Sequence, residues 1–452
     1  MKLNQVLENY SKSNIYPFHM PGHKRMLEGE YQIDMTEVDG VDDLHNPKGV
    51  IADEEERLAK IYGSDKSYML VGGSTIGNLC AIYASTNEND LILIQKNSHK
   101  SVYNGSTIRH LNVGYIFTEL DGDTIYRAVT LEQIKEAIAV YGKPKTIVIT
   151  SPTYEGYVCD IEKIGKFCRE NEIILIVDSA HGAHFGFNKY FPNPVINHAD
   201  ITIQSLHKTL PSLTQTAVLH LNGNRVRSER IREALDIFET SSPSYVLMKS
   251  MSDCMDIVEN NEDIFTEYVD NLMRFYKASG ELKKIQIRTD EESKRDIGKL
   301  IISTKCTNIT GVELARTLRE KYKIETELAS FSYVLAMTSI MDSKLGFERL
   351  SQALSEIDEK LSDGKIEIPI LASKSEKKLE LWQAKAVDGK YIKLADAVGS
   401  VSRDMVCLYP PGSPVVVPGE LITSDIINLI NKAIKTGIHV TGITNDSICV
   451  VN

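Results

Sequence analysis

Within the run Ile201-Thr-Ile-Gln-Ser-Leu-His-Lys-Thr-Leu-Pro211, a hydroxyl, an imidazole and an amine fall within four positions: Ser205, His207 and Lys208. The β-branched start reads as a short buried strand, Ile201 to Gln204, that runs into a polar turn. A lysine just past a strand end is partly desolvated and loses its charge easily. A hydroxyl and an imidazole beside it bind an anion and move protons. Those are the requirements of an amine that forms a Schiff base. Taken by itself the stretch would equally serve as an ordinary loop with a lysine.

Other segments end in the same way. Leu91 to Ile94 ends at Gln95 and leads to Asn97-Ser-His-Lys-Ser101. Thr146 to Thr150 leads to Ser151-Pro-Thr-Tyr-Glu-Gly156, and Ile173 to Val177 leads to Asp178-Ser-Ala-His-Gly-Ala-His184. Such short β-branched runs read as strands buried on both faces of a mainly parallel sheet. Helical patterns lie between them, over Leu131 to Tyr141, closed by Gly142, and over Ile161 to Glu170, opened by Asp160. Strand, helix, strand at this spacing means βαβ units. Ligands of open α/β sheets bind beyond the carboxyl ends of the strands. His99, Thr153, Asp178, His181, Ser205, His207 and Lys208 are therefore expected around one crevice.

A further strand, Ser67 to Val71, leads through Gly72-Gly-Ser-Thr-Ile-Gly-Asn78 into the apolar Leu79 to Tyr83. Glycines at a strand-to-helix turn let the backbone approach a ligand, and the hydroxyls of Ser74 and Thr75 would face an anion at the helix N-terminus. No Gly-Lys-Ser/Thr follows, so this is not a Walker A loop. An ordinary helix cap would also place Ser or Thr here.

The chain has 452 residues, which suggests two domains. Its 51 basic and 62 acidic residues give a net charge of -11, which argues against nucleic acid and against an anionic membrane surface. No apolar run is long enough to span a bilayer, and Met1 to Tyr10 is amphipathic without a signal-peptide core. The seven cysteines are scattered and form no C-x-x-C pair, so no metal site is expected and a reducing cytoplasm is.

The expected organisation is an N-terminal arm over 1–50, a large domain over 51–290 and a small domain over 291–452. In the arm, Pro17-Phe-His-Met-Pro-Gly-His-Lys24 and Asp39-Gly-Val-Asp-Asp-Leu-His-Asn-Pro47 are irregular; they suit a site, a subunit interface or solvated surface. Helical spacing is read over Ala52 to Tyr62, and one long helix over Val246 to Met273, with a hinge between Ser279 and Asp296. Beyond it come a strand over Lys299 to Ser303, a helix over Gly311 to Tyr322, a strand over Ser332 to Met337 and a helix over Leu345 to Leu361. Pro369 to Ala386 holds Trp382, the single tryptophan. Tyr409-Pro-Pro-Gly-Ser-Pro414 and Pro418-Gly-Glu420 read as rigid turns.

An anion cradle, a lysine, a strand-end aspartate and an imidazole match the needs of pyridoxal 5'-phosphate. That cofactor wants a Schiff-base lysine, a carboxylate opposite its pyridine nitrogen and donors for its phosphate. The chain resembles the Orn/Lys/Arg decarboxylase family, of fold type I among the pyridoxal-phosphate enzymes, and in particular the short bacterial members that lack the N-terminal receiver-like domain. The resemblance rests on Pro17 to Lys24, Asp42-Asp-Leu-His45, Gly73-Ser-Thr75, Ser98-His-Lys-Ser101, Ser205-Leu-His-Lys208 with Thr209 to Gln215, Tyr409-Pro-Pro-Gly412 and Pro418-Gly-Glu420.

The resemblance implies an aspartate-aminotransferase-like large domain with a mainly parallel sheet and a smaller α+β C-terminal domain. It implies that Lys208 carries the cofactor, that Asp178 pairs with the pyridine nitrogen and that His99 stacks on the ring. Ser74, Thr75, Ser205 and His207 would hold the phosphate, and His181 would lie near the ring oxygen and the substrate carboxylate. His207 would also serve in returning a proton, and Glu327 would meet the distal cation of a basic amino acid. The implied reaction is decarboxylation of arginine or lysine, with ornithine third, by a homodimer whose sites form at the interface, where Ser241-Ser-Pro-Ser-Tyr245 would reach the partner's site. Gly72, where many relatives carry asparagine, and Ser179, where short members carry glutamate, depart from the pattern. The rival readings are another reaction on the same cofactor, such as transamination or aldol cleavage, and a non-catalytic regulator of polyamine metabolism.

Overall fold

The computed structural model describes residues 1–121, 123, 125–289, 295–368, 375–409 and 412–452. Pro410 and Pro411 of the expected turn, residues 290–294 of the expected hinge and residues 369–374 of the stretch leading to Trp382 lie outside the described residues. In chain order the elements are α1 (Leu3–Ser11), α2 (Val50–Tyr62), β1 (Lys66–Leu70), α3 (Gly73–Ser85), β2 (Leu91–Gln95), α4 (Lys100–Ile108), β3 (Asn112–Ile116), α5 (Leu131–Tyr141) and β4 (Thr146–Thr150). Then come α6 (Ile161–Glu170), β5 (Ile174–Asp178), β6 (Ile201–Ser205), the single turn α7 (Leu206–Thr209), β7 (Ala217–Leu221), α8 (Ser228–Phe238), α9 (Tyr245–Asn260) and α10 (Glu262–Ser279). The remainder is β8 (Gln286–Ile287), β9 (Lys299–Ser303), α11 (Gly311–Tyr322), β10 (Leu328–Ala329), β11 (Tyr333–Met337), α12 (Lys344–Asp358), α13 (Leu381–Ala386), β12 (Gly389–Lys393), β13 (Val406–Tyr409), β14 (Ser413–Val416), α14 (Ser424–Thr436), β15 (His439–Thr441), β16 (Ile443–Thr444) and β17 (Ser447–Val451).

The chain divides into two compact units. The first comprises Met1–Thr86, Lys145–Ser151 and Ile161–Thr266. Its strands lie in the order β1-β7-β6-β5-β4. β4, β5 and β6 run parallel, β7 is antiparallel to β6, and β1 is antiparallel to β7, so only β7 is reversed. β5, β6 and β7 are buried at every residue, as a sheet covered on both faces requires. α3 packs on β5, β6 and β7 and against α8. Gly77 permits that approach: a Cβ there would lie 2.7 Å from Ile203 Cγ2 and 2.9 Å from Leu70 Cδ1. α1 packs on α9 and α2.

The second unit comprises Asn87–Pro144, Pro152–Asp160 and Glu267–Asn452. It holds the parallel pair β2–β3, an antiparallel sheet β10-β11-β9-β8, and the three-stranded sheets β12-β17-β16 and β14-β13-β15. Ile125, Tyr157, Ile301, Leu328, Tyr333 and Leu335 form one core, and Val406, Val416, Ile422, Ile426, Ile430 and Ile448 belong to another. Small antiparallel sheets with helices are the expected α+β character.

One expected element differs. The long helix over Val246 to Met273 is two helices, broken at Asn261, whose backbone leaves the helical region (φ -136, ψ 71). Asn260 turns its side chain onto the Asp256 carbonyl (2.8 Å), the local competition that makes asparagine a poor residue for a helix interior. Among the described residues no helix is long and apolar enough to cross a membrane, and no cluster of His, Cys, Asp and Glu could hold a metal ion.

Candidate active site

β6 stops at Ser205 because the chain turns there into α7, which Pro211 prevents from continuing. The turn is tied to the strand beside it. The Leu206 N–H donates to the Thr216 carbonyl (3.2 Å), and His207 Nδ1 donates to the same oxygen (2.8 Å). That bond fixes the His207 tautomer and makes Nε2 the acceptor nitrogen. Burial pushes the His207 pKa below the ordinary imidazole value; the Thr216 carbonyl pulls upward, and the Lys208 charge pushes down again. The ring is therefore neutral at neutral pH. Lys208 is half-buried, and its Nζ lies 3.1 Å from Nε2 of His181, which is 5% exposed.

Asp178 ends β5, in register with Ile203 of β6. Its carboxylate is 3% exposed and accepts from Asn78 Nδ2 (2.9 Å) and from the Ala180 N–H (3.1 Å). The turns after β5 and β6 are joined by two main-chain bonds, Ser179 N–H to Ile203 O (2.8 Å) and Ser205 N–H to Ala180 O (3.3 Å). Beneath them runs a buried neutral relay. Ser67 Oγ meets His220 Nδ1 (2.8 Å), His220 Nε2 donates to Gln204 Oε1 (3.1 Å), and Gln204 Nε2 donates to the Gly182 carbonyl (3.0 Å). Burial pushes the His220 pKa down to about 3, so the relay carries no charge. It fixes the turn that presents His181.

The glycine-rich turn opens α3 as the sequence suggests. Gly73 has φ +73, a conformation side chains resist. Glu239 Oε2 accepts the Val71 and Gly72 N–H groups (3.1 and 3.2 Å), which sets the path of the chain into the helix. The first-turn N–H groups of any helix lack partners within it, and with the helix dipole they attract an anion. Ser74 Oγ lies 2.7 Å from Ser205 Oγ, so two predicted phosphate ligands meet across 131 residues; Thr75 is exposed beside them. Gly72 fits its surroundings: a Cβ there would lie 2.3 Å from Ile76 Cγ1, so an asparagine would have to displace Ile76. Ser179 is wholly buried, and its Oγ, like Thr209 Oγ1, has no hydrogen-bond partner among the described residues.

His99 and Glu327 belong to the second unit. His99 is the N-cap of α4; its Nδ1 accepts the Ser101 N–H (3.3 Å) and meets Ser101 Oγ (2.8 Å), which orients an exposed ring. Glu327 is also exposed and accepts a hydrogen bond from the Tyr154 hydroxyl. Burial, and then that bond, raise the Tyr154 pKa well above the phenol value, so Tyr154 stays a donor. Thr153 closes a turn: its Oγ1 accepts the Tyr157 N–H (3.1 Å).

The Asp42–His45 motif braces the start of α2. Asp42 accepts the N–H groups of Lys48 (3.0 Å), Gly49 (2.8 Å) and Ile51 (3.0 Å) at the start of α2, and His45 bonds the Thr240 carbonyl (2.8 Å) and Asp236 (3.2 Å). Ser244 of the expected interface segment caps α9, and the Tyr245 hydroxyl donates to Asp42 O (2.6 Å). Asn78, Gln204, His220, Glu239 and Tyr154 escape a reading of the sequence. The available signal was a polar residue inside each of two apolar runs, Gln204 and His220, on strands that turn out to be neighbours.

These donors fit pyridoxal phosphate. A half-buried amine shares a turn with an imidazole, a carboxylate is held by two donors, and two hydroxyls meet at a helix N-terminus.

Comparisons with known proteins agree. The sequence model described as Orn/Lys/Arg decarboxylase, major domain, matches residues 2–313, and that of the C-terminal domain matches residues 377–448. The chain is 31% identical to the uncharacterized protein YaaO of Bacillus subtilis (strain 168), over 97% of this chain and 95% of that one. It is 28% identical to an arginine decarboxylase of the same organism, over 96% and 94%. The lysine decarboxylase LdcF of Francisella novicida superposes on all of this chain and 81% of its own, with a TM-score of 0.86 at 20% identity, a likeness of fold. The chain belongs to the Orn/Lys/Arg decarboxylase family.

Proposed function

We propose that this protein removes the α-carboxylate of a basic amino acid, arginine or lysine ahead of ornithine, using pyridoxal phosphate held by Lys208. The observation that carries the reading is the Lys208 Nζ–His181 Nε2 contact of 3.1 Å, next to a carboxylate, Asp178, fixed at the adjoining strand end. The bound cofactor supplies a protonated pyridine ring that takes up the electron pair of the broken bond. Asp178 holds the proton on the ring nitrogen. Ser74, Thr75 and Ser205 bind the phosphate at the start of α3, and His99 lies on the ring face. His181 binds the substrate carboxylate until carbon dioxide leaves. Its place near Lys208 lets that amine return a proton to the α-carbon. His207, anchored through Nδ1 on the Thr216 carbonyl, turns Nε2 toward the site as its free acceptor nitrogen.

Glu327 receives the distal cation, with the Tyr154 hydroxyl fixing its carboxylate. Similarity to an arginine decarboxylase over nearly the whole chain supports a guanidinium or ammonium there. The protein acts as a cytoplasmic homodimer with sites at the interface, and the division into an arm, a cofactor-binding domain over 51–290 and a small domain over 291–452 is part of the same reading.

The test is paired. Purified wild type and Lys208→Ala are given pyridoxal phosphate, then arginine, lysine or ornithine, and carbon dioxide is measured. Gas from wild type alone is expected, and the substrate that yields it names the specificity. Keto acid without gas would replace decarboxylation by transamination. No cofactor-dependent visible absorbance would overturn the assignment of pyridoxal phosphate.

A further inference from the structure

Two buried charges serve none of the roles above. Lys96 stands between the last residue of β2 and His99, and its side chain is 13% exposed. Its Nζ meets Glu420 Oε1 and lies 4.3 Å from the centre of the Tyr115 ring. Glu420 is fully buried, and its second oxygen accepts the Val417 N–H (3.1 Å). The pair closes 324 positions of sequence.

Both ends are anchored. Glu420 is delivered by Pro418-Gly-Glu420, where Gly419 has φ +85 and a Cβ would lie 2.2 Å from the Leu379 carbonyl. The Gly419 N–H donates to Ser402 O (2.8 Å), and its carbonyl accepts the Lys378 N–H (2.8 Å). At the other end, the Lys96 N–H donates to Ile116 O (2.9 Å) and its carbonyl accepts from the Tyr103 hydroxyl of α4. The next residues are tied back to β2: Gln95 Nε2 donates to Asn97 Oδ1 (2.8 Å), and the Ser98 N–H donates to Gln95 O (2.9 Å). Lys96 is thus the joint between β2, α4 and the turn that ends in His99. An apolar pair of similar volume would hold the fold about as well as a buried ion pair. What the ion pair adds is one fixed distance between two groups that have no other ion-pair partner among the described residues.

We propose that Glu420 is a positioning residue for His99, acting through Lys96 to set the turn over residues 96–99. The inference rests on the reading that His99 lies on the cofactor ring. It gives the Pro418-Gly-Glu420 turn a task in the site.

The test compares Lys96→Met/Glu420→Gln, which removes both charges together, with His99→Ala and wild type. Hydrogen exchange is followed in the peptide covering 95–104, and visible circular dichroism is recorded after reconstitution with pyridoxal phosphate. Exchange over 96–101 is expected to quicken about tenfold in the paired variant while the rest of the second unit keeps its protection. Its dichroism should move in the direction seen with His99→Ala. If the paired variant does not fold, Tyr103→Phe cuts the same joint at the Lys96 carbonyl and should show the same two changes. Wild-type exchange and dichroism overturn the proposal, as does faster exchange throughout the second unit, which marks the pair as scaffold. If the dichroism changes with His99→Ala and not with the paired variant, this proposal alone falls. Unchanged dichroism with His99→Ala overturns the ring assignment and this proposal together.

Discussion

Two of the strand-to-helix turns that carry proposed cofactor contacts are held by opposite means. The turn after β6 presents Ser205, His207 and Lys208. Its bonds run to main-chain groups of nearby chain, Thr216 O and Ala180 O, and to the neutral relay under His181. The turn after β2 presents His99. Its main chain is also bonded locally, but among the described residues the ion pair at Lys96 is with Glu420, far along the sequence. Neutral bonds to neighbours tolerate small losses, because each contributes about 1 kcal/mol net. A buried ion pair does not, because losing one charge strands the other in a poorly solvating interior. The proposed Schiff-base lysine sits on the tolerant turn and the proposed ring-stacking imidazole on the intolerant one.

The largest effect tests function on the tolerant turn. Lys208→Ala should lower carbon dioxide release at least about 10³-fold while leaving urea stability near wild type, because the side chain is half-buried. A loss of stability matching the loss of rate would mean the turn is as brittle as its counterpart. Next, Lys96→Met alone should cost about 3–5 kcal/mol in urea unfolding, and Lys96→Met/Glu420→Gln far less. Equal costs would show that packing, not charge, governs the turn after β2.

The third prediction concerns pH. The folded pKa of His220, about 3, lies below its unfolded value near 6.5. Between those values the unfolded chain binds more protons, so stability is full above about 6.5 and falls as the pH drops through the window. From pH 6.5 to 5 the loss from this one group is about 2 kcal/mol. His220→Asn should flatten that part of the stability curve, and an unchanged slope would remove His220 from the relay's account. The smallest effect is expected from Ser74→Ala. It loses one neutral hydrogen bond to Ser205, about 0.5–1.5 kcal/mol, and should raise the dissociation constant for pyridoxal phosphate several-fold. A loss as large as that of Lys96→Met would end the contrast between the turns.

Much of the fold is legible in the order of residues. α5, α6, α11, β4 and β9 begin and end where periodicity and β-branched runs place them, since buried strands and amphipathic helices leave a pattern within a short window. β3 is missed because Gly114 interrupts a short run. That glycine is there for packing: a Cβ would lie 2.5 Å from Leu93 Cδ2 and 2.7 Å from Tyr141 Cγ. The break at Asn261 is missed because helical spacing of apolar residues continues across it. The Asp42–His45 motif reads as site, subunit interface or surface, and only the folded chain reveals that it bonds the start of α2 and the Thr240 carbonyl.

The sequence by itself determined the strand ends, the polar residues just beyond them and, through its motifs, the family. These follow from local rules: a β-branched run must be buried, a glycine must supply a left-handed turn, and a lysine after a strand is held near the interior. The tertiary structure decided which of those residues meet. It set Ser74 against Ser205, placed Asn78 on Asp178, ran the His220–Gln204 relay beneath His181 and brought Glu420 to Lys96. Those contacts join residues between 16 and 324 positions apart. No local pattern encodes them, because a buried polar group is specified by the partner that satisfies it, and that partner is known only once the chain has folded.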